Sequence, residues 1–241
     1  MKPSERIILN ISGKFNINKI NQFLPYIGAI RIGIRSIYPK MSELLFSVLE
    51  NNLHSCLGEI LEFSQLIRKK VFFDIAFIDN LSEVVKSFEA LCILGPKMIS
   101  VYELEDTLIK KMANHKSNLN VFGKSASMHM KDDECMKHFG TKIDAHIVRF
   151  ADNLVKMNFL GVVCSFEQAY ILRSNNSFNN LLTMCPLRYK DPREMIGNGI
   201  DYLIVGDERI LDIRSFQILE KEIALGLCDR KLKEAHHELR S

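Results

Sequence analysis

The chain has 241 residues, 47% apolar and 25% charged, the composition of a folded globular protein and not of a disordered or collagen-like one. Its 32 Lys and Arg against 29 Asp and Glu leave a net charge of only +3 with no basic block, so no electrostatic footprint for nucleic acid or an anionic membrane is expected. No run approaches the roughly 18 consecutive apolar residues of a spanning helix, and Met1–Glu5 enters a strand-like run without an apolar leader, which predicts neither a membrane protein nor a secreted precursor.

In chain order, short apolar or β-branched runs fall at Ile7–Asn10, Ala29–Ile34, Val71–Ile75, Lys97–Val101, Leu119–Phe122, Leu160–Cys164, Leu181–Met184 and Tyr202–Val205. Helical spacing lies between them, at Ile17–Leu24, Leu81–Leu91, Ile143–Met157 and Phe166–Leu172. Near-continuous apolar strands alternating with amphipathic helices are the mark of parallel strands buried on both faces. Eight such runs over this length predict a single-domain (β/α)8 TIM barrel, usually about 250 residues. The alternative, an open doubly wound sheet, lacks its Gly-rich phosphate loop: the first strand runs into Ile11-Ser12-Gly13-Lys14. The segment Lys40–Lys70 is long enough for two helices with a break near Gly58. The polar stretch Phe122–Thr141 follows the fifth strand and is a candidate lid. Residues 229–241 are expected to be a charged, fraying helix end.

Six cysteines (Cys56, Cys92, Cys135, Cys164, Cys185 and Cys228) are scattered without a C-x-x-C pair. They are expected to be reduced and mostly buried in a cytoplasmic protein, with no zinc site and no disulfide framework. The histidines lack metal-ligand spacing, and no cofactor is expected.

In a barrel, functional side chains come from the C-terminal strand ends and the loops just after them. The candidates are therefore Asn10, Arg31, Asp74, Ala76, Asp79, Tyr102, Ser127, Ser165, Arg188 and the pair Asp207-Glu208. Asp74 and Ala76 are two apart on one strand and face the same way. Two carboxylates with Arg31 nearby suit acid–base or electrostatic work, and suit a structural ion pair equally well.

Several of these pieces resemble the orotidine 5′-phosphate (OMP) decarboxylase family. Val71–Asp79 (VFFDIAFID) is similar to its D-x-K-x-x-D segment. Ile7–Ile11 and Ile30–Ile34 resemble its first two strands. Leu160–Ala169 (LGVVCSFEQA) is close to D-G-V-V-C-S-A-x-E-A. Met184–Arg188 (MCPLR) stands where T-P-G-I-R is expected, and Gly199–Gly206 (GIDYLIVG) resembles A-G-A-D-Y-x-V-I-G. The resemblance implies the same barrel, a cofactor-free carboxy-lyase releasing carbon dioxide from OMP, and a homodimer whose sites are completed by the loop carrying Asp79.

The departures fall in one place. The family's strand-three lysine, which protonates the carbanion left at C6, is Ala76 here, and alanine cannot donate a proton. Losing one preorganised group of this kind costs about 10²-fold or more. Asp74 and Asp79 of the charged array remain, while its second lysine is Arg31, whose proton is essentially undonatable. Asn10 replaces the ribose-holding aspartate, and Tyr102 stands where a histidine is often found. Pro186 replaces the phosphate-loop glycine, and Asp207-Glu208 follow Gly206 where a phosphate-gripping arginine belongs. Ser127 (in SASM, resembling T-S-M) remains available to a pyrimidine, and Arg188 or Arg209 to a phosphate. Lys124 is the best candidate for a surrogate proton donor, although a solvated loop lysine is the plainer expectation for it, and Lys190 is weaker still. The leading expectation is a decarboxylase-like barrel that has lost OMP decarboxylation, a pseudoenzyme or a binder of a nucleotide- or sugar-phosphate-like molecule. The alternatives are an active but aberrant decarboxylase, or another lyase or isomerase on this barrel. A mouth filled by Phe77, Tyr102 or Tyr189 would favour a scaffold.

Overall fold

A computed structural model describes residues 1–11, 20–33, 53–74, 81–103, 119–188, 190–206 and 212–238. The strands are β1 (Ile7–Ile11), β2 (Ala29–Ile32), β3 (Val71–Asp74), β4 (Met98–Tyr102), β5 (Asn120–Lys124), β6 (Gly161–Val163), β7 (Leu182–Pro186) and β8 (Tyr202–Gly206). They pair in sequence order, and β8 closes on β1, giving the expected eight-stranded barrel. Every pairing is parallel. The described helices are α1 (Leu53–Lys70), α2 (Leu81–Leu94), α3 (Asp132–Phe139), α4 (Ile143–Lys156), α5 (Phe166–Arg173), α6 (Pro192–Gly197) and α7 (Ile213–Glu238). None of them is long and apolar enough to cross a membrane.

Two separate cores follow from the period-two alternation of strand side chains. Inside the barrel Ile8, Ala29, Phe72, Met98, Phe122, Val163, Met184 and Tyr202 pack against one another. Phe122 sits edge-on to Phe72 and Tyr202, with ring centroids 6.4 and 6.0 Å away. It has that room because its neighbour on β6 is Gly161, where a Cβ would come within 2.5 Å of the Phe122 ring. The alternate residues face outward and meet the helices: Ile7, Leu9, Ile30, Phe73, Ile99 and Val121 join Ile147, Phe150 and Leu154 of α4. This double burial is why the strands read as unbroken apolar runs.

The N-terminal end of the barrel is held by a buried carboxylate. Asp201, just before β8, accepts from Arg173 of α5 at 2.5 Å and Arg230 of α7 at 3.2 Å, and takes the Thr183 backbone N–H at 2.9 Å. Arg6 stands 3.6 Å away.

Two expectations change. Gly58 does not break a helix, because α1 runs through it; a glycine inside a helix costs only about 1 kcal/mol, which the surrounding turns absorb. The stretch after β5 is not a bare polar loop. It folds into a 3-10 turn (Ala126–His129) and then α3, with Ser127 and Cys135 buried beneath. Of the described cysteines, Cys135, Cys164 and Cys185 are buried as expected, Cys92 is half-buried and Cys228 is exposed. The charged C-terminal segment continues α7 to Glu238, and Arg193 meets Asp229 at 2.6 Å.

Candidate active site at the barrel mouth

The inward parity that places Ile8, Ala29, Phe72, Met98 and Phe122 in the barrel interior carries two residues further, to Asn10, Arg31, Asp74, Ser100 and Lys124. The sheet register sets these side by side: Asn10 pairs with Arg31 and also with Gly206, Asp74 pairs with Ser100, and Tyr102 pairs with Lys124. Five polar side chains therefore converge on one mouth because each stands one inward step beyond an apolar plug.

Asp74 is the centre. Its carboxylate accepts from Arg31 Nε at 2.7 Å and from Arg31 Nη2. Lys124 Nζ donates to both oxygens, at 2.9 and 3.1 Å, and the Ser100 hydroxyl also donates to it. Arg31 Nη1 donates to Asn10 Oδ1 at 2.8 Å. The Asp74 side chain is 6% exposed. Burial pushes its carboxyl upward, and Arg31 and Lys124 with the Ser100 hydrogen bond more than offset this, leaving it below the usual aspartate value. Asp74 is thus a fixed anion between two cations. Lys124 also lies 5.2 Å from the centre of the Tyr102 ring, so Tyr102 flanks the array.

Ser127 is buried and already engaged. Its Oγ accepts from Gln168 Nε2 at 2.8 Å and lies 3.0 Å from Ser125 Oγ. Ser165 is the N-cap of α5: its Oγ accepts from the Gln168 N–H, and the Gln168 side chain returns a bond to the Ser165 N–H. Pro186 ends β7 facing the mouth without an N–H to offer. Arg188 stands apart from the Asp74 array, 3.2 Å from His129 Nδ1, and Lys190 is 3.6 Å from Glu167. Gly206 closes the ring beside Asn10. Ala76, Phe77, Asp79, Tyr189, Asp207, Glu208 and Arg209 lie outside the described residues.

Glu103 and His146 escape a search of the sequence. Glu103 follows β4, accepts from the Ala126 N–H at 3.0 Å and meets His146 Nε2 at 3.0 Å. His146 is 1% exposed, and its ring lies 4.1 Å from that of Phe139. The pair pins the turn after β5 onto α4. A strand-end position could have flagged Glu103, whereas His146 has no signal beyond its place on the apolar face of α4. Among the described residues no group of three or more His, Cys, Asp or Glu could hold a metal.

The architecture is that of a (β/α)8 barrel with a charged C-terminal mouth. No family model matches the chain. Over 180 residues, 67% of this chain and 77% of the relative, it is 24% identical to the orotidine 5′-phosphate decarboxylase of Wigglesworthia glossinidia brevipalpis. The crystal structure of orotidine 5′-phosphate decarboxylase from Lactobacillus acidophilus covers 90% of this chain and 98% of its own, with a TM-score of 0.66 and 17% identity. That of orotidine 5′-monophosphate decarboxylase from Metallosphaera sedula covers 94% and 100%, with a TM-score of 0.60 and 14% identity. An uncharacterized conserved protein from Geobacillus kaustophilus has a TM-score of 0.62 and 16% identity over 90% of this chain and 99% of its own. The structures share the barrel, and the sequence match is with an OMP decarboxylase, the family that its motifs resemble.

Proposed function

We propose that this OMP decarboxylase-like barrel no longer decarboxylates OMP in the family's manner and instead binds a small phosphorylated molecule, nucleotide-like or sugar-phosphate-like, at its mouth. The position of Lys124 carries the reading. With alanine at position 76, the ammonium that reaches Asp74 comes from β5, across β4 from the strand on which the family carries its lysine. Proton delivery to a carbanion needs placement to within about an ångström, so an ammonium arriving from another strand addresses a different point in the mouth. Pro186, which offers no N–H where the family has a glycine, supports the same conclusion at the phosphate end. No metal or organic cofactor is invoked, and the protein is taken to act in the cytoplasm. A homodimer with Asp79 reaching the partner's mouth is part of the reading, and a monomeric mass by light scattering would count against it.

One observation favours a second reading, an aberrant but active carboxy-lyase. Lys124 places an ammonium, the kind of group the family uses as its proton donor, inside the charged array, 2.9 Å from Asp74. Single-turnover assays with excess protein and OMP, followed by ultraviolet absorbance, separate the two. The binder reading expects no turnover from the unmodified protein and at most a trace from Ala76→Lys. Turnover that vanishes in Lys124→Ala would establish the second reading instead.

A further inference from the structure

Helix α7 carries two apolar faces. Phe216, Leu219 and Ile223 are buried in the outer core, against the barrel. Ile218, Leu225 and Leu232 are instead 64%, 36% and 61% exposed, and Cys228, three residues after Leu225, is exposed with them. Single exposed apolar side chains are ordinary on a protein surface. These are not single. Each of the three is seven residues from the next, two helical turns less about 20°, so they form one stripe about 21 Å long. Apolar positions recurring every seven residues, with Cys228 at the intermediate place, have the spacing of a seam between paired helices.

The charges beside the stripe say what fits it. Lys221 and Asp229 stand four residues before and after Leu225, about 6 Å along the axis in each direction. The helix neighbours of Lys221 at three and four residues are Gln217, Ile218, Ala224 and Leu225, and none carries a charge to pair with it. Asp229 is held by Arg193 at 2.6 and 3.0 Å, one bond to each carboxylate oxygen, and each oxygen keeps a lone pair for another donor. From Ile218 to Leu232 the stripe therefore reads apolar, basic, apolar, acidic, apolar. Turned end for end about Leu225, it meets itself with apolar residues on apolar ones and base on acid, while Glu222 falls opposite the uncharged Cys228. A surface that complements itself in this way is what a two-fold interface requires.

We propose that this face of α7 binds the same face of a second copy of the chain, the two helices running antiparallel about a two-fold axis at Leu225. Ile218 then packs on the partner's Leu232, Lys221 meets the partner's Asp229, and the two Leu225 side chains meet on the axis. The surface is separate from the barrel mouth, because Phe216 and Ile223 seat α7 outside the strands. It neither needs nor excludes contacts made by the loop carrying Asp79. Three apolar layers are few for a protein interface, so association should depend on concentration.

Light scattering of the full chain, kept reduced and taken from about 5 to about 200 μM, should show a mass that rises with concentration to a limit. Leu225→Glu or Ile218→Glu puts a charge in the exposed stripe and should halve that limit, from two chains to one, or from four to two where the mouths also pair. The far-ultraviolet circular dichroism of both variants should match that of the unmodified protein. Val155→Glu, at an exposed apolar position on α4, should leave the mass unchanged. A protein monomeric throughout, or a limiting mass that survives both stripe substitutions, would overturn the inference. Cross-linking reads the direction of the helices. In a Cys228→Ser background, oxidation with copper phenanthroline should link Leu225→Cys to itself, and Ile218→Cys to Leu232→Cys in a mixture of the two, but not Ile218→Cys to itself. Self-linking of Ile218→Cys as ready as that of Leu225→Cys would mean parallel helices and would overturn the pairing of Lys221 with the partner's Asp229, on which the inference rests.

Discussion

Asp74 on β3 and Lys124 on β5 are separated by a whole strand, yet their side chains meet across the mouth at 2.9 Å. The strand between them contributes Ser100 to the same carboxylate, and β2 contributes Arg31. One anion thus ties together the C-terminal ends of four consecutive strands. Among the described residues, two cations share this one carboxylate.

The shared anion should be worth more to stability than either cation. Lys124→Ala leaves Asp74 paired with Arg31 and should cost about 1–2 kcal/mol, in the range of a hydrogen bond to a charged group. Asp74→Ala leaves Arg31 and Lys124 facing each other in a partly buried site and should cost roughly 3–5 kcal/mol. Urea denaturation of both variants measures the difference. Equal costs would mean that the cations are already stabilised by solvent and the array is not a structural unit.

The depressed carboxyl of Asp74 also sets an acid limb. Because the folded-state value lies below the unfolded one, the folded protein binds this proton less readily. The stability from this site is complete above the unfolded value, near 3.9, and is lost as pH falls through the lower folded value. Asp74→Asn should therefore be less stable than the unmodified protein near neutral pH, and its stability should fall less steeply below about pH 4. Urea midpoints followed from about pH 6 down to about pH 2.5 would show this, and parallel acid limbs in the two proteins would refute it.

The barrel was legible because double burial writes itself into composition: Val71–Phe73 and Tyr202–Val205 are apolar at every position, and only a strand covered on both faces needs that. The site was legible by position, since strand ends such as Asn10, Arg31 and Asp74 are where a barrel exposes side chains. Which of them meet was not. Whether Lys124 reaches Asp74 or points to solvent depends on inward parity counted from Phe122, on a register between strands 50 residues apart. The Arg188–His129 contact spans 59 residues and joins two loops, so no periodicity signals it. Ser127 looked free because its partner, Gln168, sits on another element and is itself used in the cap of α5.

At the opposite end of the barrel, Asp201 takes Arg173 and Arg230 with the Thr183 N–H, and Arg6 stands close by. Asp201→Asn keeps the shape and removes the charge, leaving three guanidinium groups without their common anion. A loss of about 3–5 kcal/mol is expected, with the melting temperature falling and OMP or UMP binding at the distant mouth unaltered at temperatures where the variant is folded. Differential scanning calorimetry paired with a binding titration distinguishes this from a role in the site, which would weaken binding in the folded variant.

Gly28 tests a different constraint, backbone against backbone. It precedes β2, its N–H donates to the Ile7 carbonyl at 2.8 Å, and a Cβ added there would sit 1.9 Å from the Glu5 carbonyl oxygen. No rotamer change relieves a clash with main chain, so β1 and β2 would have to separate at the point where the barrel begins. Gly28→Ala should cost roughly 3 kcal/mol or more, at the upper end of overpacking. Gly197 supplies the control. An added Cβ there meets nothing closer than 3.6 Å, so Gly197→Ala should stay within about 1 kcal/mol of the unmodified protein. Thermal melts of the two variants side by side give the answer, and a Gly28→Ala protein as stable as Gly197→Ala would show that the first residues of the chain can move aside without opening the barrel.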